Sequence, residues 1–378
     1  MKVVVAIDSF KGSLSSIQAG ESAKRGILRA FPNAEVKVMP VADGGEGTLD
    51  AVLSAVKSEV VEVEVTLPTG ERGIARYGIL EDGSAFVEVA EAVGLTRVPL
   101  ERRNPMTVTS YGLGELLRHA IVERGCRRFT VGLGGSATND GGLGMLEALG
   151  YRFADGQVSR GAVGLREVRF VDSSSALPEL SECHFTLACD VKNTLCGDNG
   201  CSKIFALQKG AREDELAVMD EWMSGYADVV ERHIPTATRL AEGSGAAGGL
   251  GFAFMGVLGA RMRAGIEVVA EVTGLEREVS TADVIVTGEG RLDGQSVMGK
   301  APVGVASVGK KYSLPVIALA GCVREDATAL LDCGIDAYFP IVQAPCTLEE
   351  AMEESRAVKN LEATAYQVFR LMKIGGLK

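Results

Sequence analysis

Five consecutive apolar residues, Val3-Val4-Val5-Ala6-Ile7, run directly into Asp8 and the small, polar stretch Ser9-Phe10-Lys11-Gly12-Ser13. The run has no polar alternation, so a strand built from it must be covered on both faces, as in a parallel sheet flanked by helices. Ser15 stands where an N-cap would start a helix reaching residue 30. The rhythm continues with a strand at 35–41, a loop and helix at 44–56, and a third strand at 60–67. After Pro68-Thr69-Gly70 it stops. Segments 73–80 and 85–90, joined by Glu81-Asp82-Gly83-Ser84, have hairpin character; helix 112–123, strand 129–131, helix 141–149, an irregular stretch over 154–182 and a strand at 185–188 follow. The βα rhythm returns at 283–287 and repeats at 316–320 and 337–341. The pattern predicts an α/β protein of two domains. One, 1–67 plus 282–378, is a doubly wound parallel sheet built from both chain ends; the other, 68–281, is inserted and carries a mixed sheet.

A chain of 378 residues accommodates two such domains, and 46% hydrophobic residues supply their cores. The net charge of −11, with no extended Lys/Arg run, argues against a nucleic-acid partner. An acidic protein that binds anions must do so with backbone dipoles and a few placed cations. The eight cysteines (126, 183, 189, 196, 201, 322, 333 and 346) form no CxxC pair, and the three histidines, His119, His184 and His233, lie outside every motif below. Reduced thiols and no structural zinc are expected. Met1 leads straight into the first strand, and the weakly polar stretch 246–260 is short and Gly-rich, so a cytoplasmic location without a membrane span is expected.

The 47 glycines are in excess, and they gather in loops that follow predicted strands, where open α/β sheets bind ligands. Asp8, ending a buried strand, can hold Mg²⁺ or a substrate hydroxyl, and Lys11 can neutralise an anion. Ala42-Asp43-Gly44-Gly45-Glu46-Gly47-Thr48 sets two carboxylates among three glycines at a helix start. Gly132-Leu133-Gly134-Gly135-Ser136-Ala137-Thr138-Asn139-Asp140-Gly141-Gly142 follows a strand and opens a helix, which makes an anion cradle. It also fits the dinucleotide pattern GxGxxA, but its Ser-Ala-Thr-Asn-Asp core suits phosphate better. Cys189-Asp190-Val191-Lys192-Asn193 offers a carboxylate, a cation and an amide after another strand. Gly243–Gly251 fits GxGxxG without a preceding strand, and reads either as a phosphate loop or as tight helix packing. Gly294 to Lys300 matches G-x-x-x-x-G-K, but Ala301 replaces the hydroxyl residue that a P-loop needs, so that reading is rejected. Acids, amides and a few cations without histidine suit phosphoryl transfer.

At these residues the chain closely resembles the bacterial glycerate kinases of the type that forms 2-phosphoglycerate. The likeness runs through Ala6–Ser13, Ala42–Thr48, Gly134–Gly142, Ala188-Cys189-Asp190-Val191, Gln208-Lys209-Gly210-Ala211, Gly245–Gly251, Thr287-Gly288-Glu289-Gly290-Arg291-Leu292-Asp293 and Gly299-Lys300-Ala301-Pro302. Thr194 and Ala206-Leu207 stand where the family commonly has Pro and Gly-Pro, which loosens two loops. The resemblance implies ATP- and Mg²⁺-dependent phosphorylation of D-glycerate, in a cleft between two α/β domains, one of them flavodoxin-like. A homodimer is left open. The resulting assignment has Asp190, Asp43 and Lys11 as catalytic, and Asp8, Ser9, Lys11, Arg291 and Asn193 on substrate. Gly134, Gly135, Ser136, Thr138, Asn139, Asp140, Gly245, Gly248 and Lys300 hold nucleotide or phosphate, and Asp43, Glu46, Asp190 and Glu289 hold the metal. The competing readings are transfer to the 3-hydroxyl or to a related hydroxy acid, and a non-catalytic nucleotide- or acid-binding regulator.

Overall fold

The structure is a computed structural model that describes residues 1–376 apart from Gln295 and Gly299. In chain order its strands are β1 (Lys2–Ile7), β2 (Glu35–Val38), β3 (Ser58–Thr66), β4 (Arg72–Leu80), β5 (Ala85–Glu88), β6 (Arg128–Gly132), β7 (His184–Ala188), β8 (Arg261–Arg263), β9 (Val284–Leu292), β10 (Val316–Val323) and β11 (Ala337–Pro340). They belong to two compact units. The first comprises Met1–Asp43, Asp50–Val56 and Ala264–Lys378; the second comprises Gly44–Leu49 and Lys57–Arg263. Segments 44–49, 57–67 and 264–281 therefore lie across the line that the change of rhythm suggested.

In the first unit every strand pairing is parallel, in the order β11-β10-β9-β1-β2. Counted within the unit this is 2-1-3-4-5, the flavodoxin order, with its topological switch between β1 and β9. The apolar run behaves as its composition requires. Val4 and Ala6 face a core with Ile285, Ala318 and Val305, while Val3, Val5 and Ile7 face another with Val286, Ala23 and Leu361. Helix Ser16–Ala30 starts at the expected cap: Ser15 Oγ accepts from the Gln18 amide, and Gln18 Oε1 accepts from the Ser15 amide. This helix and Glu354–Ile374 cover one face. They cross so closely that a Cβ on Gly26 would lie 2.2 Å from the Glu362 carbonyl.

The second unit has the order β3-β4-β5-β6-β7-β8, antiparallel from β3 to β5 and parallel onward. Here one expectation is corrected. The third strand does not join the first sheet; β3 pairs antiparallel with β4 from Ser58↔Leu80 to Thr66↔Arg72. The reason is legible afterwards. Glu59, Glu62 and Glu64 are solvated while Val61 and Val65 are buried, which suits a half-exposed edge strand rather than a two-faced buried one. Pro68-Thr69-Gly70 makes the tight turn, with the Gly70 amide donating to the Leu67 carbonyl at 2.9 Å. No helix among the described residues is long and apolar enough to cross a membrane, and all eight cysteines are unbridged.

Candidate active site

In the first unit the chemistry collects at the carboxyl ends of β1 and β9, beside the topological switch. The Asp8 amide donates to the Gly288 carbonyl at 2.9 Å, and Asp8 Oδ1 accepts from the Ser9 amide at 2.6 Å. The loop then closes on itself, since Phe10 and Leu14 exchange backbone bonds at 2.8 and 2.9 Å. That closure needs Gly12, whose φ of +77° is left-handed. Lys11 Nζ lies 3.1 Å from Asp43 Oδ2. Glu289 continues β9 and accepts from Ser296 Oγ at 2.6 Å. Asp8, Lys11, Asp43 and Glu289 therefore form one electrostatic cluster.

Burial raises the Asp8 carboxyl to about 7, and the charge of Asp43 adds to the rise. The Ser9 amide and Lys11 oppose it, and Glu289 contributes a further rise. Burial also raises Glu289, against the Ser296 hydroxyl and the charge of Lys300. Displaced carboxyl groups in one cluster mark a site that a cation or an anionic substrate's counter-charges would rebalance. Arg291 is mostly exposed and pairs with Asp293 at 2.8 Å. Lys300 occupies the N-cap position of helix Ala301–Lys311, with Pro302 in its first turn. Gly299, part of the rejected P-loop pattern, lies outside the described residues.

In the second unit three glycine-bearing loops meet backbone to backbone. The Gly134 amide donates to the Gly44 carbonyl at 3.0 Å, and the Leu133 amide to the Ala188 carbonyl at 3.2 Å. A Cβ on Gly134 would fall 2.2 Å from Gly45 Cα, and one on Gly44 2.4 Å from the Ala188 carbonyl oxygen. Gly248 is equally tight, with its Cβ position 1.9 Å from the Thr138 carbonyl oxygen, and the Gly245 amide donates to the Asn193 carbonyl at 3.0 Å. Close packing therefore accounts for Gly245 and Gly248, while Gly135 supplies a positive φ in the loop after β6.

Several expected ligand groups are engaged inside the fold. Asp140 is fully buried and accepts from the Ser110 amide (2.7 Å), Ser110 Oγ (2.8 Å) and the Gly142 amide (3.2 Å). These bonds anchor the loop to the start of helix Tyr111–Val122. Asn139 donates through Nδ2 to Ser202 Oγ at 2.9 Å, and Asn193 through Nδ2 to the Asn199 carbonyl at 2.9 Å. Asp190 follows β7 and is partly exposed, whereas Glu46, in the loop after Gly45, is exposed. Asp43 and Glu289 belong to the first unit, Glu46 and Asp190 to the second. Among the described residues no three acidic, His or Cys side chains stand at metal-binding spacing.

Two residues escaped the pattern reading. Glu88, at the end of β5, is buried and accepts from the Gly47 amide (3.0 Å) and the Leu49 amide (2.8 Å), capping helix Thr48–Ala55. A carboxylate inside Ala85-Phe86-Val87-Glu88-Val89-Ala90 was its only signal. Lys209, 4% exposed, donates to Ser136 Oγ (3.0 Å) and the Thr138 carbonyl (2.7 Å).

Comparison with known proteins accords with this arrangement. The glycerate kinase family profile matches residues 3–373. The glycerate kinase of Haemophilus influenzae is 42% identical over 98% of this chain and 99% of its own. The glycerate 2-kinase of Escherichia coli is 42% identical over 96% of this chain and 98% of its own. A crystal structure from Salmonella typhimurium LT2, of a protein assigned as glycerate kinase 2, superposes with a TM-score of 0.86 at 41% identity, covering 99% of both chains. With its sheet orders, its glycine-bearing loops and this end-to-end likeness, the chain belongs to the glycerate kinase family, kinases that phosphorylate an alcohol group.

Proposed function

We propose that this enzyme transfers the γ-phosphoryl group of ATP to the 2-hydroxyl of D-glycerate, with Mg²⁺. The observation that carries the reading is the cluster of Asp8, Lys11, Asp43 and Glu289 at the switch point of the first sheet. It joins carboxylates able to orient a hydroxyl to a cation able to meet a carboxylate or phosphate. The choice of the 2-hydroxyl is supported by the likeness to the Escherichia coli glycerate 2-kinase.

The donors suit a hard cation, because Asp43, Glu46, Asp190 and Glu289 all present oxygen. Mg²⁺ characteristically takes one or two carboxylates and completes its shell with phosphate oxygens and water, so a preformed three-acid cage is not required. When bound, Mg²⁺ supplies positive charge to the phosphates. Asp43 and Asp190 are the groups proposed to accept the hydroxyl proton, and Asp8, raised to about 7, joins them as a third candidate. Lys11, Arg291 and Ser9 are proposed for the substrate carboxylate, and Asn193 is proposed as a further substrate ligand. Lys300 and the amides of the loop from Gly134 to Ser136 are proposed for the nucleotide phosphates.

Phosphorus NMR of the product formed from ATP and D-glycerate tests the proposal directly. A 2-phosphoglycerate resonance is expected. A 3-phosphoglycerate resonance would overturn the regiochemistry, and ATP binding without any transfer would favour the non-catalytic reading.

A further inference from the structure

A buried ammonium group without a counter-ion is unusual, because removing a charge from water is expensive unless something compensates it. Lys209 is such a group. It ends the short 3₁₀ turn Leu207–Lys209 and makes no ion pair among the described residues. Its two partners, Ser136 Oγ and the Thr138 carbonyl, are neutral oxygens of the loop after β6. The carboxylate that acts on Lys209 is Asp140, already bonded to Ser110 and Gly142 and beyond ion-pair distance. Burial depresses the ammonium to about 8, and the Cys201 thiol beside it is itself pushed up to about 12. Thr138 Oγ1, in the same loop, is buried with no hydrogen-bond partner among the described residues.

Hydrogen-bond direction gives this geometry its consequence. An ammonium can only donate, so Ser136 Oγ accepts from it and keeps its own proton for another acceptor. We propose that Lys209 is a positioning residue for the phosphate loop, compelling the Ser136 hydroxyl to donate to a phosphate oxygen of the nucleotide while its charge compensates that phosphate from behind the loop. This rests on the reading of the loop as the nucleotide phosphate site. It goes beyond that reading in giving the loop a cation that none of its own residues provides.

The test compares full-length wild type with Lys209→Met and Ser136→Ala, measuring kcat, KM for ATP, KM for D-glycerate and Tm. Lys209→Met keeps the length of the side chain and removes its charge. It should raise KM for ATP roughly 10- to 100-fold, the range for losing a charge-assisted bond, and leave KM for D-glycerate within about twofold. Its Tm should hold, because an apolar side chain relieves the buried charge. In wild type, kcat/KM for ATP should decline as pH rises through about 8, where the ammonium loses its proton, and Lys209→Met should lack that limb. An equal rise in both KM values, or no change in either, would overturn the proposal. Should Lys209→Met fail to fold, Lys209→Gln takes its place, and an unchanged KM for ATP in that variant refutes the role. If Ser136→Ala weakens ATP and Lys209→Met does not, the loop reading stands and this inference falls. If Ser136→Ala leaves KM for ATP unchanged, the loop reading itself fails.

Discussion

Asp8→Asn converts the electrostatics of the site into a stability measurement. The native carboxyl titrates at about 7 instead of the ordinary 3.8, chiefly through burial and then through Asp43. An acid whose native pKa lies above its unfolded pKa holds its proton longer when folded. Its stabilising contribution is fully present below about 3.8 and is lost as pH rises to about 7. At about 1.4 kcal/mol per pH unit the total loss is on the order of 4 kcal/mol, of which roughly 3 falls between pH 5 and pH 8. Asparagine cannot titrate, so the change in stability between those two pH values should be about 3 kcal/mol less unfavourable in Asp8→Asn than in wild type. Taking this double difference cancels the titrating groups that do not interact with Asp8, and leaves Asp8 with its partners Asp43, Lys11 and Glu289. Native-state hydrogen exchange at the amides of β1 and β9 reads the unit that carries Asp8; the lone tryptophan, Trp222, lies in the other unit and would report the wrong transition. A double difference below about 1 kcal/mol would refute the electrostatic picture of the cluster. The expected gain in stability at pH 8 should come with lost activity, as happens when strain is stored at a functional site.

Three other outcomes are expected. Asp190→Asn should lower kcat by roughly 10²- to 10⁴-fold with little change in KM if Asp190 accepts the proton; unchanged kcat with weaker metal dependence would pass that role to Asp43. Excess chelator should abolish turnover and added Mg²⁺ restore it, and full activity in chelator would remove Mg²⁺ from the proposal. Gly134→Ala should destabilise by roughly 2–3 kcal/mol or more in urea unfolding, because its Cβ would lie 2.2 Å from Gly45 Cα and backbone must move; wild-type stability would show that the loops are not packed this way.

Much of the first sheet could be read from local pattern. Unbroken apolar runs such as Val3–Ile7 admit a strand covered on both faces and little else, and a Ser followed three residues later by Gln specifies its own helix start. Glycines after strands likewise marked where the loops carrying the candidate site would fall. The pairing of β3 is not fixed by its alternating Glu and Val, because strand–strand partnership is settled by residues outside the strand. The roles of Asp140 and Lys209 were beyond any local reading. Asp140 reads as a loop acid until Ser110, thirty residues earlier in the chain, donates to it. Lys209 reads as a solvated lysine until the fold buries it against Ser136 and Thr138. Hydrophobic periodicity acts between near neighbours and survives in the sequence as a pattern. Desolvation and hydrogen-bond pairing depend on which distant groups the fold brings together, and so the ionisation of Asp8 and Lys209 belongs to the tertiary structure alone.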